Sequence, residues 1–144
     1  MKDWIYSMSN LSKRGSGLPV NLWLDEGKTY VKGKHSKRVK FQLDYGNKIS
    51  KNYASMTLDG EVVADTFDER LSELKLKDIR QVSTFVKNNS YALNHLSDND
   101  ITTYDFFEIM IKGGEPATLE QLNELKKKVD DLILNEEDNV LEIN

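Results

Sequence analysis

The chain of 144 residues contains no cysteine and only two histidines. The lack of cysteine excludes disulfides, thiolate catalysis and cysteine-ligated metal sites, and it is typical of intracellular proteins. The histidines, His35 and His95, are far apart, and the acidic residues are too scattered to give the spacing of a metal site. We therefore expect neither a metal nor another cofactor.

Long hydrophobic runs are also missing. No apolar run approaches the roughly 18 residues of a membrane-spanning helix, and the N-terminus lacks the apolar region of a secretory signal. Glycine-rich phosphate loops and nucleophile elbows are absent as well. The sequence therefore predicts a protein without a membrane span, a small-molecule cofactor or a recognisable enzyme motif.

Charge is present in quantity but is unevenly distributed. Residues 1–52 carry eleven Lys/Arg and four acids, a net charge of +7, whereas the rest of the chain has a net charge of −11. Such asymmetry indicates an anion-facing end and an acid-rich end, unless the two halves neutralise each other across the fold.

The basic half is centred on one strand pattern. Val39, Phe41 and Leu43 alternate with polar residues, and this period of two predicts a strand with one apolar and one cationic face. Further strands are predicted over 19–25, 28–33, 54–58 and 61–64. Helical periodicity follows over 76–87 with 91–96, over 103–112, and after the capping box that Thr118 and Gln121 form.

These patterns predict an α+β fold, an antiparallel meander of about five short strands followed by three helices. We expect a flexible basic N-terminal arm over 1–17, an α+β domain over 18–112, and a C-terminal helix with an acidic tail over 113–144.

The cationic strand face is the main candidate site. Its members would bind nucleic acid or another anion: Lys32, Lys34, His35, Lys37, Arg38 and Lys40. A solvated sheet face, on which lysines block edge pairing, and a contact for an acidic protein are the alternatives. If the protein is an enzyme, His35 is the candidate acid–base group of a metal-independent ribonuclease.

The last helix has an apolar seam that predicts either packing on the sheet or a partner-binding surface. The seam consists of Leu122, Leu125, Val129 and Leu132. We therefore expect a protein partner or self-association.

Three stretches within residues 18–96 carry a resemblance: VNLWLD from Val20, HSKRVKFQ from His35 and LKDIRQVSTFVKNN from Leu76. Together they resemble small proteins of gut Bacteroidetes and their phages, and are distantly similar to the domain of unknown function DUF4160. The resemblance implies a short meander with a histidine-containing third strand, followed by a helix. It also implies a small partner protein encoded beside this one, as in toxin–antitoxin pairs. The family has more histidines at the strand entrance, where this chain has only His35.

The uneven charge, the apolar seam of the last helix and the resemblance to DUF4160 together suggest a small non-enzymatic binding protein of phage or mobile-element type. It would contact a partner through the basic strand and the C-terminal helix, in the bacterial cytoplasm or in a phage particle. The alternatives are a nucleic-acid-binding module, a metal-independent ribonuclease toxin and a virion-associated structural protein.

Overall fold

The computed structural model describes residues 8–25, 37–48 and 52–143. Within them lies an antiparallel sheet in the order β1-β2-β3-β4, formed by Met8–Leu11, Leu22–Asp25, Arg38–Gln42 and Tyr53–Thr57. The helices are α1 (Lys13–Ser16), α2 (Leu76–Asn88), α3 (Ser90–Ser97), α4 (Thr103–Ile109) and α5 (Leu119–Ile143). The α+β class is confirmed, but the described residues form four strands and five helices rather than five strands and three helices.

The N-terminal segment differs most from its prediction. The flexible arm predicted over 1–17 is wrong for residues 8–17, since β1 pairs with β2 and α1 follows it. The Ser12 hydroxyl caps α1 by accepting a hydrogen bond from the Gly15 N–H at 3.2 Å. Gly17 ends the helix with a φ of 76°, so this glycine supplies a left-handed cap. Residues 1–7 lie outside the described residues.

The predicted strand over 61–64 is reduced to a single bridge between Val62 and Met56. Pairing stops there because the Ser55 N–H donates to the Thr66 hydroxyl at 2.9 Å instead of to a backbone carbonyl. A 3-10 turn, Ala64–Thr66, takes the place of further strand, and a second follows at Glu69–Leu71. The predicted strand over 28–33 lies outside the described residues.

Asn89 separates α2 from α3 and also fixes the end of α4. Its side chain bonds both backbone groups of Ile111: the Ile111 N–H donates to Asn89 Oδ1 at 2.8 Å, and Asn89 Nδ2 donates to the Ile111 carbonyl at 2.9 Å. Because both backbone groups of Ile111 bond to Asn89 and not within a helix, the helix predicted over 103–112 ends at Ile109. The predicted capping box of α5 is confirmed, with the Gln121 N–H donating to the Thr118 hydroxyl at 3.1 Å.

One hydrophobic core joins the sheet to the helices. Val39, Phe41 and Leu43, predicted to face inward, are each at most 1% exposed, and each such buried side chain contributes about 1.5–3 kcal/mol. Leu125 and Val129 of α5 belong to the same core cluster. The C-terminal helix is therefore part of the same packed body as the sheet.

Candidate binding surface on the outer face of the sheet

Strand register assigns the residues of β2, β3 and β4 to two faces. Leu22, Phe41 and Ala54 are cross-strand partners and belong to the core. Trp23, Lys40 and Ser55 form the next row across the sheet. Because side chains alternate along a strand, this second row belongs to the face opposite the helices, which we call the outer face.

A cation and two aromatic rings meet on the outer face. Lys40 Nζ lies 5.3 Å from the centroid of the Tyr53 ring, a distance at which the ring quadrupole attracts the ammonium group. The Trp23 ring meets the Tyr53 ring edge-on, with centroids 6.2 Å apart. Trp23 is only 1% exposed, whereas Lys40 and Tyr53 are half-buried. Lys40 and Tyr53 are therefore the members of this cluster that solvent reaches.

Arg38 extends the same face toward the beginning of β3. It is half-buried, and it pairs with Thr57 of β4 in the sheet register. The predicted strand thus places Arg38 and Lys40 on one face, as its period of two requires.

Lys37 does not lie on the outer face, so its assignment to the cationic strand face is wrong. Its Nζ lies 2.5 Å from the Asp98 carboxylate and donates to the Asn94 carbonyl at 3.4 Å. Lys37 precedes Arg38, so strand alternation directs it to the helix side. It ties the entrance of β3 to the end of α3.

Three other predicted members of the cationic strand face lie outside the described residues: Lys32, Lys34 and His35. The ribonuclease hypothesis for His35 therefore stays a prediction. The other histidine, His95, has its Nδ1 2.8 Å from the Asp100 carboxylate and its ring edge-on to Tyr91. Asp100 thus holds His95 within the α3–α4 corner. The cap of α4 is Thr102.

A buried amide network that the sequence did not reveal supports one end of β3. Gln42 is fully buried, and its Nε2 donates to the Asp44 carboxylate at 2.5 Å and to the Gly46 carbonyl at 3.2 Å. Asn21 donates to the Asn47 carbonyl at 3.2 Å. The turn after β3 is therefore held by side chains of β3 itself and of the residue preceding β2.

Tyr45 connects that turn to α2. Its hydroxyl donates to the Asp78 carboxylate at 2.5 Å and accepts the Lys75 N–H at 3.0 Å. The hydrogen bond to Asp78 raises the pKa of Tyr45 above its ordinary value of 10.0, because the carboxylate favours the protonated hydroxyl. This contact fixes the start of α2 against the end of β3.

The apolar seam of α5 divides between the core and the surface. Leu125 is 3% exposed and Val129 is fully buried against the chain's own core, so the prediction that they bind a partner is wrong. Leu132 is partly buried against the same core, and Leu122 is 37% exposed. The main contacts of this helix with other elements are with α3 and α4.

Within residues 8–25, 37–48 and 52–143, no group of three or more His, Asp or Glu side chains is close enough to hold a metal ion. No helix in the described part of the chain has both the length and the apolar composition needed to cross a membrane. Comparison of the chain with models of protein families, with curated proteins and with solved structures finds no match. The similarity to DUF4160 stays a prediction.

Proposed function

We propose that this protein is a small non-enzymatic binding protein that attaches to an acidic surface of a partner protein through its outer sheet face. The observation that carries the proposal is the position of Lys40 above Tyr53, with Arg38 on the same face. Arginine and tyrosine are enriched in protein interfaces, where they provide large contact areas with polar ends.

The partial burial of these side chains supports a binding role. Tyr53 packs against Trp23 and Lys40 packs against Tyr53, so neighbours restrict both side chains before any partner arrives. Side chains that are already ordered lose less entropy when they bind. The positive charges of Lys40 on this support and of Arg38 on the same face favour carboxylates on the partner, and they make attachment sensitive to salt.

Capture experiments with two double variants test this proposal. Arg38→Gln/Lys40→Gln removes two positive charges from the outer face, and Lys77→Gln/Arg80→Gln removes two exposed positive charges from α2. We expect the wild type and the α2 variant to capture the same acidic protein from bacterial lysate at low ionic strength. The outer-face variant, shown by circular dichroism to be folded, should lose it. Equal capture by both variants would overturn the proposal.

Single-stranded nucleic acid is the second candidate, and the half-buried Tyr53 ring beside Lys40 favours it. Such sites combine a cation for phosphate with an aromatic ring for base stacking. Burial of Trp23 leaves Tyr53 as the accessible ring among the described residues of this cluster. Fluorescence anisotropy with labelled single-stranded DNA and RNA separates the two candidates. Binding that weakens with salt and is lost in Lys40→Gln supports this candidate, and no binding at low ionic strength excludes it.

A further inference from the structure

A second surface lies on the helical side of the molecule, between α5 and the segment that follows α4. It is a groove of about 340 Å³, near the lower limit of ligand pockets. Its apolar part is formed by Met110, Ile111 and Leu125, and its charged rim by Lys112, Glu124 and Lys128. None of these residues belongs to the outer face, so the groove stands independently of the function proposed above.

Both walls of the groove are fixed in position. On one side, Asn89 bonds the N–H and the carbonyl of Ile111, and Asn88 Nδ2 donates to the Glu115 carbonyl at 2.7 Å. On the other side, Leu125 anchors α5 in the core. A groove with fixed walls needs little rearrangement to accept a side chain, which favours binding.

The charges on the rim determine which kind of ligand the groove favours. Lys112 and Lys128 are both exposed, and Glu124 lies 3.5 Å from Lys128 in an i,i+4 pair. One carboxylate thus offsets one of the two lysines, and the rim has a net positive charge. A groove with an apolar floor and a positively charged rim is complementary to an apolar side chain flanked by carboxylates.

We propose that this groove docks a short segment of a partner protein in which an apolar side chain is flanked by Asp or Glu. The apolar side chain fills the space between Ile111 and Leu125, and the neighbouring carboxylates pair with Lys112 and Lys128. The groove residues of α5, from Gln121 to Lys128, span two helical turns, about 10 Å of helix. The segment that contacts it is therefore only a few residues long.

Selection from a yeast-displayed library of random peptides, with the full-length protein as the target, tests this proposal. We expect the enriched peptides to share an apolar residue next to Asp or Glu. Synthetic copies should bind Lys112→Glu/Lys128→Glu roughly tenfold more weakly than the wild type, because each exposed charge pair contributes a factor of up to about five. Circular dichroism should show that the variant keeps its fold.

Two matched variants show which surface binds the peptides. Lys77→Glu/Lys127→Glu makes the same change of charge at exposed positions that do not line the groove, and it should bind the peptides within a factor of about two. Arg38→Gln/Lys40→Gln should also bind them as the wild type does, even if the outer face proves to have no partner. Failure to enrich acidic–apolar peptides, or equal binding by the Lys112→Glu/Lys128→Glu variant, would overturn the proposal.

Discussion

Two lysines close in sequence, Lys37 just before β3 and Lys40 within it, have different contacts on the two faces of the sheet. Lys37 lies on the helix side and pairs with Asp98, whereas Lys40 lies on the outer side above the ring of Tyr53. They are three positions apart, an odd number, so strand alternation places them on opposite faces. Which lysine can contact a partner is therefore decided by its position in the strand, and the density of charge in the sequence does not reveal it.

Polar side chains on the helix side also connect segments that lie far apart in the chain. Asn89 holds Ile111, Asn88 holds Glu115, and Tyr45 holds Asp78. On the outer face, the half-buried side chains of Lys40 and Tyr53 contact each other. Changes on the helix side should therefore reduce stability, and changes on the outer face should mainly reduce binding.

Asn89→Ala should have the largest effect. The side chain is fully buried, and it makes two hydrogen bonds to Ile111 and one to the Phe85 carbonyl. Losing them should lower the free energy of unfolding by about 3 kcal/mol, at about 1 kcal/mol for each bond. Urea denaturation measures this loss. Asn123→Ala, at an exposed position of α5, should change stability by less than about 0.5 kcal/mol. A loss below about 1 kcal/mol for Asn89→Ala would show that the connection contributes little.

The Lys37–Asp98 pair should have a smaller effect, which a double-mutant cycle isolates. Lys37→Met and Asp98→Asn should show a coupling energy of about 0.5–1 kcal/mol in urea denaturation, since both side chains are partly exposed. Lys40→Met combined with Asp98→Asn is the matched control and should give additive effects. Equal coupling for both lysines would contradict the assignment of Lys37 and Lys40 to opposite faces.

The smallest effect should be a change in pH dependence at Tyr45. The hydrogen bond to Asp78 raises the pKa of Tyr45, so the native state holds this proton more tightly than the unfolded chain. The resulting stability is complete below the ordinary tyrosine pKa of 10.0 and is lost as pH rises through the folded-state value. The stability difference between wild type and Tyr45→Phe should therefore shrink at alkaline pH. A difference that stays constant with pH would contradict this role for Tyr45.

Local patterns were sufficient to predict much of the fold. The alternation around Val39 and Phe41 identified the core face of β3, and Thr118 with Gln121 identified the start of α5. Both signals involve residues within a few positions of each other. Pairing partners are not encoded in this way, so β1 was mistaken for part of a flexible arm: its strand character depends on β2, on the far side of α1.

The candidate sites were less predictable for the same reason. The sequence groups Lys37 with Arg38 and Lys40 because all three are cations. It does not show that Lys37 pairs with Asp98, which is distant in the chain. The α5 seam was correctly identified as apolar, but apolar periodicity alone does not distinguish a core helix from a partner-binding helix. The groove beside α5 depends on Asn89 reaching Ile111, which is 22 positions away and matches no short motif.

Lysine footprinting of the captured complex tests most directly whether the outer face contacts the partner. The protein, alone and bound to the partner it captures, is treated with an amine-reactive reagent, and mass spectrometry measures modification at each lysine. We expect the bound partner to protect Lys40 and to leave the exposed Lys77 of α2 unchanged. Equal modification of Lys40 in the free and bound protein would contradict attachment through the outer face.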